Sequence, residues 1–244
     1  AMLLGLVLRG VAFEYRWRTT RGRWMWDWAF TLGSIIATLG QGLTLGALVD
    51  GIAIEGRQYS GGWWDWLSPF SVTTSVALLV GYALLGATWL IMKTDDDLQA
   101  RARRLAGVLG PALLAFIALI SAWMLIERPE FIDRWFGMPA VLFVAPVPLL
   151  TVAIGLALVR AVPEGRESTP FLAALTLFVL SFIGLAISFY PYLIPPDLSF
   201  RDAAAPDVSL QFLLVGAAVL IPLILIYTAY AYWVFRGKVE PDAG

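Results

Sequence analysis

Neither cysteine nor histidine occurs in the 244 residues. That double absence excludes a disulfide, an iron–sulfur cluster, a thiolate nucleophile and a zinc site of the Cys/His kind. Haem iron takes its axial ligands from His, Cys, Met or Tyr. Only five Met and eight Tyr remain, and none is paired in a way that suggests a ligand set. Any redox cofactor is therefore expected on another chain. Charge is the second scarcity. Asp, Glu, Lys and Arg make up 14% of the chain, against about 25% in a soluble domain. A water-facing surface needs more, so a soluble globular domain, a disordered chain and a nucleic-acid binder are all excluded.

What the chain has instead is apolar length. Hydrophobic residues make up 59% and the mean hydropathy is +0.77. A helix needs about 20 mostly apolar residues to cross a bilayer. Charge-free runs of that order extend from Trp28 to Val49, Leu67 to Met92, Leu105 to Ile126, Trp135 to Val159, Ser168 to Pro196 and Val208 to Phe235. Barrel strands would be about 10 residues long and alternating, which these runs are not. The piece Ala1–Leu8 is too short to span. It lacks the basic start and small-residue cleavage site of a signal peptide. It reads as the tail of a helix, and the sequence as N-terminally incomplete. The expected fold class is all-α: a polytopic transmembrane bundle with the end of one helix plus six full spans, in one domain over 1–244.

The net charge is −1, but the basic residues are segregated. Taking alternate connections together gives thirteen Lys and Arg on one side and four on the other. The positive-inside rule places the first set, with the C-terminus, in the cytoplasm. Trp24, Trp26 and Trp28, then Trp63, Trp64 and Trp66, cluster at span ends, as interfacial belts do. An aromatic electron-transfer ladder is the sharper reading of the same residues, and the belt is preferred. Ser34, Thr38, Gly42 and Gly46 form a small-residue stripe for close helix packing, with Gln41 beside it able to hydrogen-bond across. Pro146, Pro148 and Pro222 are expected to kink their spans.

Ionisable residues inside a bilayer usually mark function. The span centres have none, which disfavours an independent proton carrier. The exceptions lie at edges. Arg9 ends the first apolar piece, Glu14 follows it, Asp27 opens the next span, and Asp50 closes it. Arg9, Glu14, Arg16 and Asp27 share one end, where opposite charges can pair and fix two helices in register. The functional reading is a partner interface or a proton-uptake position, with Arg9, Glu14 and Asp27 as the candidates. Arg16, Arg18, Arg21 and Arg23 also suit anionic lipid. Asp95–Asp97 superficially looks like a metal-binding run, but three consecutive side chains diverge, so a solvated loop is preferred. No Gly-rich phosphate loop or nucleophile motif is present.

Whole segments carry a resemblance. Arg9-Gly-Val-Ala-Phe-Glu-Tyr-Arg16 and Met25-Trp-Asp-Trp28 resemble subunit II of cytochrome bd-type quinol oxidases. Gly46-Ala-Leu-Val-Asp-Gly51, Pro69-Phe70 and the run from Gly81 to Thr94 continue it. Ser188-Phe-Tyr-Pro-Tyr192, Ala203-Ala-Ala-Pro206 and the run from Tyr227 to Val239 complete it. The wording of these blocks is closer to the cyanide-insensitive branch. The resemblance implies a nine-helix subunit, of which this chain holds helix three's end and helices four to nine. It implies that haems b and d sit in a partner subunit I, that quinol is the substrate of the complex, and that this subunit is haem-free and non-catalytic. Membrane lipid, quinone and a small accessory subunit are the further partners it leaves open. Early acidic positions implicated in proton delivery would precede this chain. Arg9, Glu14 and Asp27 match positions where the family keeps Arg, an acid and Asp, whereas the position of Asp50 is often Gln in relatives. The expected function is that of the supporting subunit of a quinol:oxygen oxidoreductase in the bacterial inner membrane, electrogenic without pumping. The alternative is a polytopic carrier or assembly scaffold with no redox partner.

Overall fold

The computed structural model describes residues 1–56, 58–195, 198–235 and 237–238. Arg57 and Arg236 of the charge tally, Pro196 at the end of one apolar run and Val239 lie outside the described residues. Among the described residues, ten helices and two short hairpins follow the apolar runs. Six helices among the described residues are long and apolar enough to cross a membrane: Arg23–Asp50, Pro69–Lys93, Asp96–Glu127, Val141–Ala161, Thr169–Phe189 and Asp207–Val234. The all-α, six-span expectation therefore holds.

The boundaries differ where hydropathy is blind to them. The first helix, α1, runs over Met2–Arg18, ten residues past Leu8. Its polar second half is held by packing on α2 (Arg23–Asp50) rather than by apolar character. The connection between α2 and α3 (Pro69–Lys93) carries a hairpin, β1 (Ile54–Glu55) with β2 (Gln58–Tyr59). Helix α3 starts on a capping box in which the Ser68 hydroxyl accepts from Ser71 N and the Ser71 hydroxyl accepts from Ser68 N. Helix α4 (Asp96–Glu127) carries Pro111 in its interior.

The expected span Trp135–Val159 is three helical pieces, α5 (Glu130–Phe136), α6 (Val141–Val144) and α7 (Pro146–Ala161). The break between α6 and α7 falls at Ala145, where Pro146 supplies no N–H and occupies the first helical position. The run Ser168–Pro196 is helical only as α8 (Thr169–Phe189). It then turns into a second hairpin of β3 (Tyr192–Ile194) and β4 (Leu198–Ser199). A short α9 (Phe200–Ala203) leads to α10 (Asp207–Val234), which runs uninterrupted past Pro222.

The core lies between α3, α4, α7 and α8. Leu84, Ala87 and Ile91 meet Ala102, Ala106, Leu113, Leu158, Ala173, Ala174 and Leu177. Helix α2 adds to α3 through the small-residue stripe. A Cβ on Gly42 or Gly46 would overlap the Cα of Ser75 or Ser71. Gln41 joins across the same seam, accepting from the Tyr82 hydroxyl at 3.1 Å. Helix α1 packs on the other side of α2. There a Cβ on Gly5 would come within 2.6 Å of Gly33 O and 2.8 Å of Ala37 N. Helix α10 contributes no buried residue.

Candidate functional site

The α1–α2 end is built by one tight turn, Thr19–Gly22. Gly22 takes φ 81°, a left-handed conformation that suits glycine. Thr19 donates to Tyr15 O at 2.8 Å and accepts from Trp26 Nε1 at 2.9 Å. The Tyr15 and Trp26 rings stack at 5.5 Å, so the two helices are clasped by polar and aromatic contacts together.

The three candidate residues lie along this hairpin with different partners. Asp27 accepts from Arg16 Nε, an ion pair that crosses from α2 to α1. Glu14 pairs with Arg18 at 2.7 Å within α1. Arg9 sets its guanidinium 5.2 Å from the Phe30 ring centroid, again across the two helices. Among the described residues, none of the three pairs with another of the three. Two links therefore join α1 to α2, of which only Arg16–Asp27 is a pair of opposite charges. Both ion pairs are solvent-accessible, with side chains 42% and 51% exposed for Arg16 and Asp27, so each is worth at most about 1 kcal/mol in water.

The clasp of Thr19, Tyr15 and Trp26 was not foreseen. The only sequence signal was an aromatic on each side of a Thr–Thr–Arg–Gly turn. Asp50 closes α2, where its carbonyl accepts from Arg128.

A second polar cluster ties the far end of the chain to the same side. Lys238 donates to Asp95 at 2.7 Å and to Glu167 at 2.8 Å. These bonds to Asp95 and Glu167 raise the Lys238 pKa above the ordinary lysine value, and the bond from Lys238 holds the Glu167 carboxyl below its own. Lys93, buried at the end of α3, donates to Phe235 O at 2.8 Å and Gly237 O at 3.1 Å. Asp95 is thus an ion-pair partner. Among the described residues, no group of three or more His, Cys, Asp or Glu is placed to hold a metal ion.

The chain offers neither His nor Cys to a haem iron. The molecule is a multi-pass helical membrane protein. The family model for cytochrome bd terminal oxidase subunit II matches residues 1–235, and the chain belongs to that family. Cytochrome bd-I ubiquinol oxidase subunit 2 of Escherichia coli strain K12 is 25% identical over 279 aligned positions, covering 99% of this chain and 73% of the relative. Cytochrome bd ubiquinol oxidase subunit 2 of Bacillus subtilis strain 168 is 27% identical, covering 98% and 72%. The solved structure of bd oxidase from Geobacillus thermodenitrificans shares the fold, with a TM-score of 0.73 at 20% identity over 97% of this chain and 72% of that one. The chain is a subunit of a respiratory terminal oxidase, an oxidoreductase complex of the bacterial inner membrane in which subunit I is its partner. The carrier or scaffold alternative falls away with that membership.

Proposed function

We propose that this chain is the haem-free, non-catalytic subunit of a quinol:oxygen oxidoreductase. The observation that carries this is the absence of His and Cys in a chain of this family. Haems b and d are held by subunit I, which oxidises quinol and reduces dioxygen to water. When bound there, the haems supply the electron transfer. This chain forms one transmembrane domain that packs against and supports that partner. Its charge-free span centres support a packing role, because a charge at mid-bilayer costs about 2.5–3.5 kcal/mol on insertion scales.

Arg9, Glu14 and Asp27 organise the end of the α1–α2 hairpin where subunit I docks, with a proton-uptake position as the second reading. The interhelical Arg16–Asp27 pair and the Arg9–Phe30 contact support the first. The basic-rich side, with the C-terminus, faces the cytoplasm on the thirteen-to-four asymmetry. Protons for water formation come from that side, so turnover builds a membrane potential without pumping. Quinone, lipid and a small accessory subunit are further partners of the complex.

The test is a reduced-minus-oxidised spectrum of this chain purified without subunit I. No haem signal is expected. A stoichiometric b- or d-type signal from the chain alone would overturn the assignment.

A further inference from the structure

We propose that the α1–α2 turn binds the phosphate headgroups of anionic phospholipids through Arg21 and Arg23. The site rests on the membrane placement of the chain and not on the docking role of Arg9, Glu14 and Asp27. Four arginines fall within residues 16–23. The two acids nearby are already used, Asp27 by Arg16 and Glu14 by Arg18. That leaves Arg21 exposed and without an ion pair among the described residues. Arg23, also exposed, gives its Nε to Thr19 O at 3.0 Å, and its two Nη groups have no protein acceptor among the described residues. The turn therefore presents uncompensated guanidinium groups on a backbone held by the Thr19–Tyr15–Trp26 clasp.

The surrounding rings fix the depth and decide the kind of ligand. Trp17, Trp24 and Trp28 are 74%, 65% and 60% exposed around these arginines. Indole rings in that number favour a layer with hydrocarbon on one side and polar groups on the other, which is the headgroup region. An acidic soluble segment would satisfy the arginines and leave the three rings in water. Phosphates lie at the depth of the rings, and a guanidinium fork matches their oxygens. A lipid with net negative charge is favoured over a zwitterionic one, because nothing at the turn remains to attract the cationic half of a zwitterion.

The assembled complex is exchanged into nanodiscs of phosphatidylcholine with graded phosphatidylglycerol, and retained lipid is counted by native mass spectrometry. Wild type is expected to retain phosphatidylglycerol over phosphatidylcholine, less strongly as salt screens the attraction. R21Q/R23Q should need about fivefold more phosphatidylglycerol per arginine removed for the same retention, and R21K/R23K should keep the preference. Assembly yield and haem content, which report on the docking residues, should stay at wild-type values. Wild-type retention in R21Q/R23Q overturns the proposal; if that variant does not assemble, Arg21→Gln alone is read in the same way. Inorganic phosphate that strips the lipid at matched ionic strength would make the turn a free-anion site, and the lipid assignment wrong. Equal retention of both lipids in wild type, with subunit I lost from the variant, would make it a protein contact.

Discussion

Several basic side chains donate to main-chain carbonyls at helix ends. Arg103 of α4 donates to Arg166 O at 3.0 Å and Gly165 O at 2.8 Å, just past α7. Arg134 of α5 donates to Ser188 O near the end of α8, Arg128 to Asp50 O at the end of α2, and Lys93 to Phe235 O at the end of α10. Helix C-termini leave carbonyls unpaired and carry the negative end of the dipole, so a cation from a neighbouring helix satisfies both. The sequence shows these residues only as topology signals, because nothing local says which helix end each will reach. Arg9 and Asp27 act differently, linking α1 to α2 through an aromatic ring and an ion pair. Removing one partner of a pair costs little while water reaches it, and about 3–5 kcal/mol once a docked subunit buries it. Arg9→Ala or Asp27→Ala should therefore lower the yield of assembled oxidase and its haem content together. Normal assembly with slowed turnover would instead point to proton uptake. Wild-type behaviour in both variants would reduce the residues to topology signals.

At the scale of elements, the six spans were legible because their apolar runs approach or exceed the length a bilayer demands. The stripe Ser34–Thr38–Gly42–Gly46 was legible from its period of four. Its partner was not, because α2 is small-residued on a second face as well. Gly33 and Ala37 take α1, while Gly42 and Gly46 take α3. The hairpin β3–β4 was hidden because its residues Tyr192–Ile194 are as apolar as the span before them, so hydropathy does not fall where the helix stops. The break at Ala145 was legible only as a kink, since Pro146 ends one ladder of hydrogen bonds and begins another without any change in polarity. The close approach at Gly42 makes a definite demand. Gly42→Val would drive methyls into the α3 backbone at Ser75. It should destabilise the subunit by about 1–3 kcal/mol, as overpacking does. Thermal unfolding in detergent checks it, with Gly86→Val as control, because a Cβ on Gly86 meets nothing within 4 Å. Equal shifts in the two variants would mean that the α2–α3 seam is looser than it looks.

For the molecule as a whole, the loose element is α10. It has no buried residue, yet its C-terminal end is fastened to the connections α3–α4 and α7–α8 by Lys93 and Lys238. That clamp joins three parts of the chain that are remote in sequence, and it should hold over a wide pH range. Glu167 has a lowered pKa, so its contribution is complete above the ordinary glutamate value of about 4.3 and disappears as pH falls through the lower folded value. Lys238 has a raised pKa, so its contribution is complete below the ordinary lysine value of about 10.4 and disappears as pH rises through the higher folded value. The Lys238–Glu167 bond is therefore intact across the whole interval between those two ordinary values and is lost only beyond it at each end. The absence of cysteine makes a single spin label on a cysteine replacing Gly237 a clean reporter on this chain, and a Cβ there meets nothing within 4 Å. The label should be immobile from about pH 5 to 10 and loosen outside that interval. In Lys238→Met it should be more mobile than in the unsubstituted chain across that interval, because both ion pairs are gone. A label equally immobile with and without the Lys238 amine would show that Lys93 alone holds the tail, and that the Asp95–Lys238–Glu167 bridge contributes nothing to seating α10.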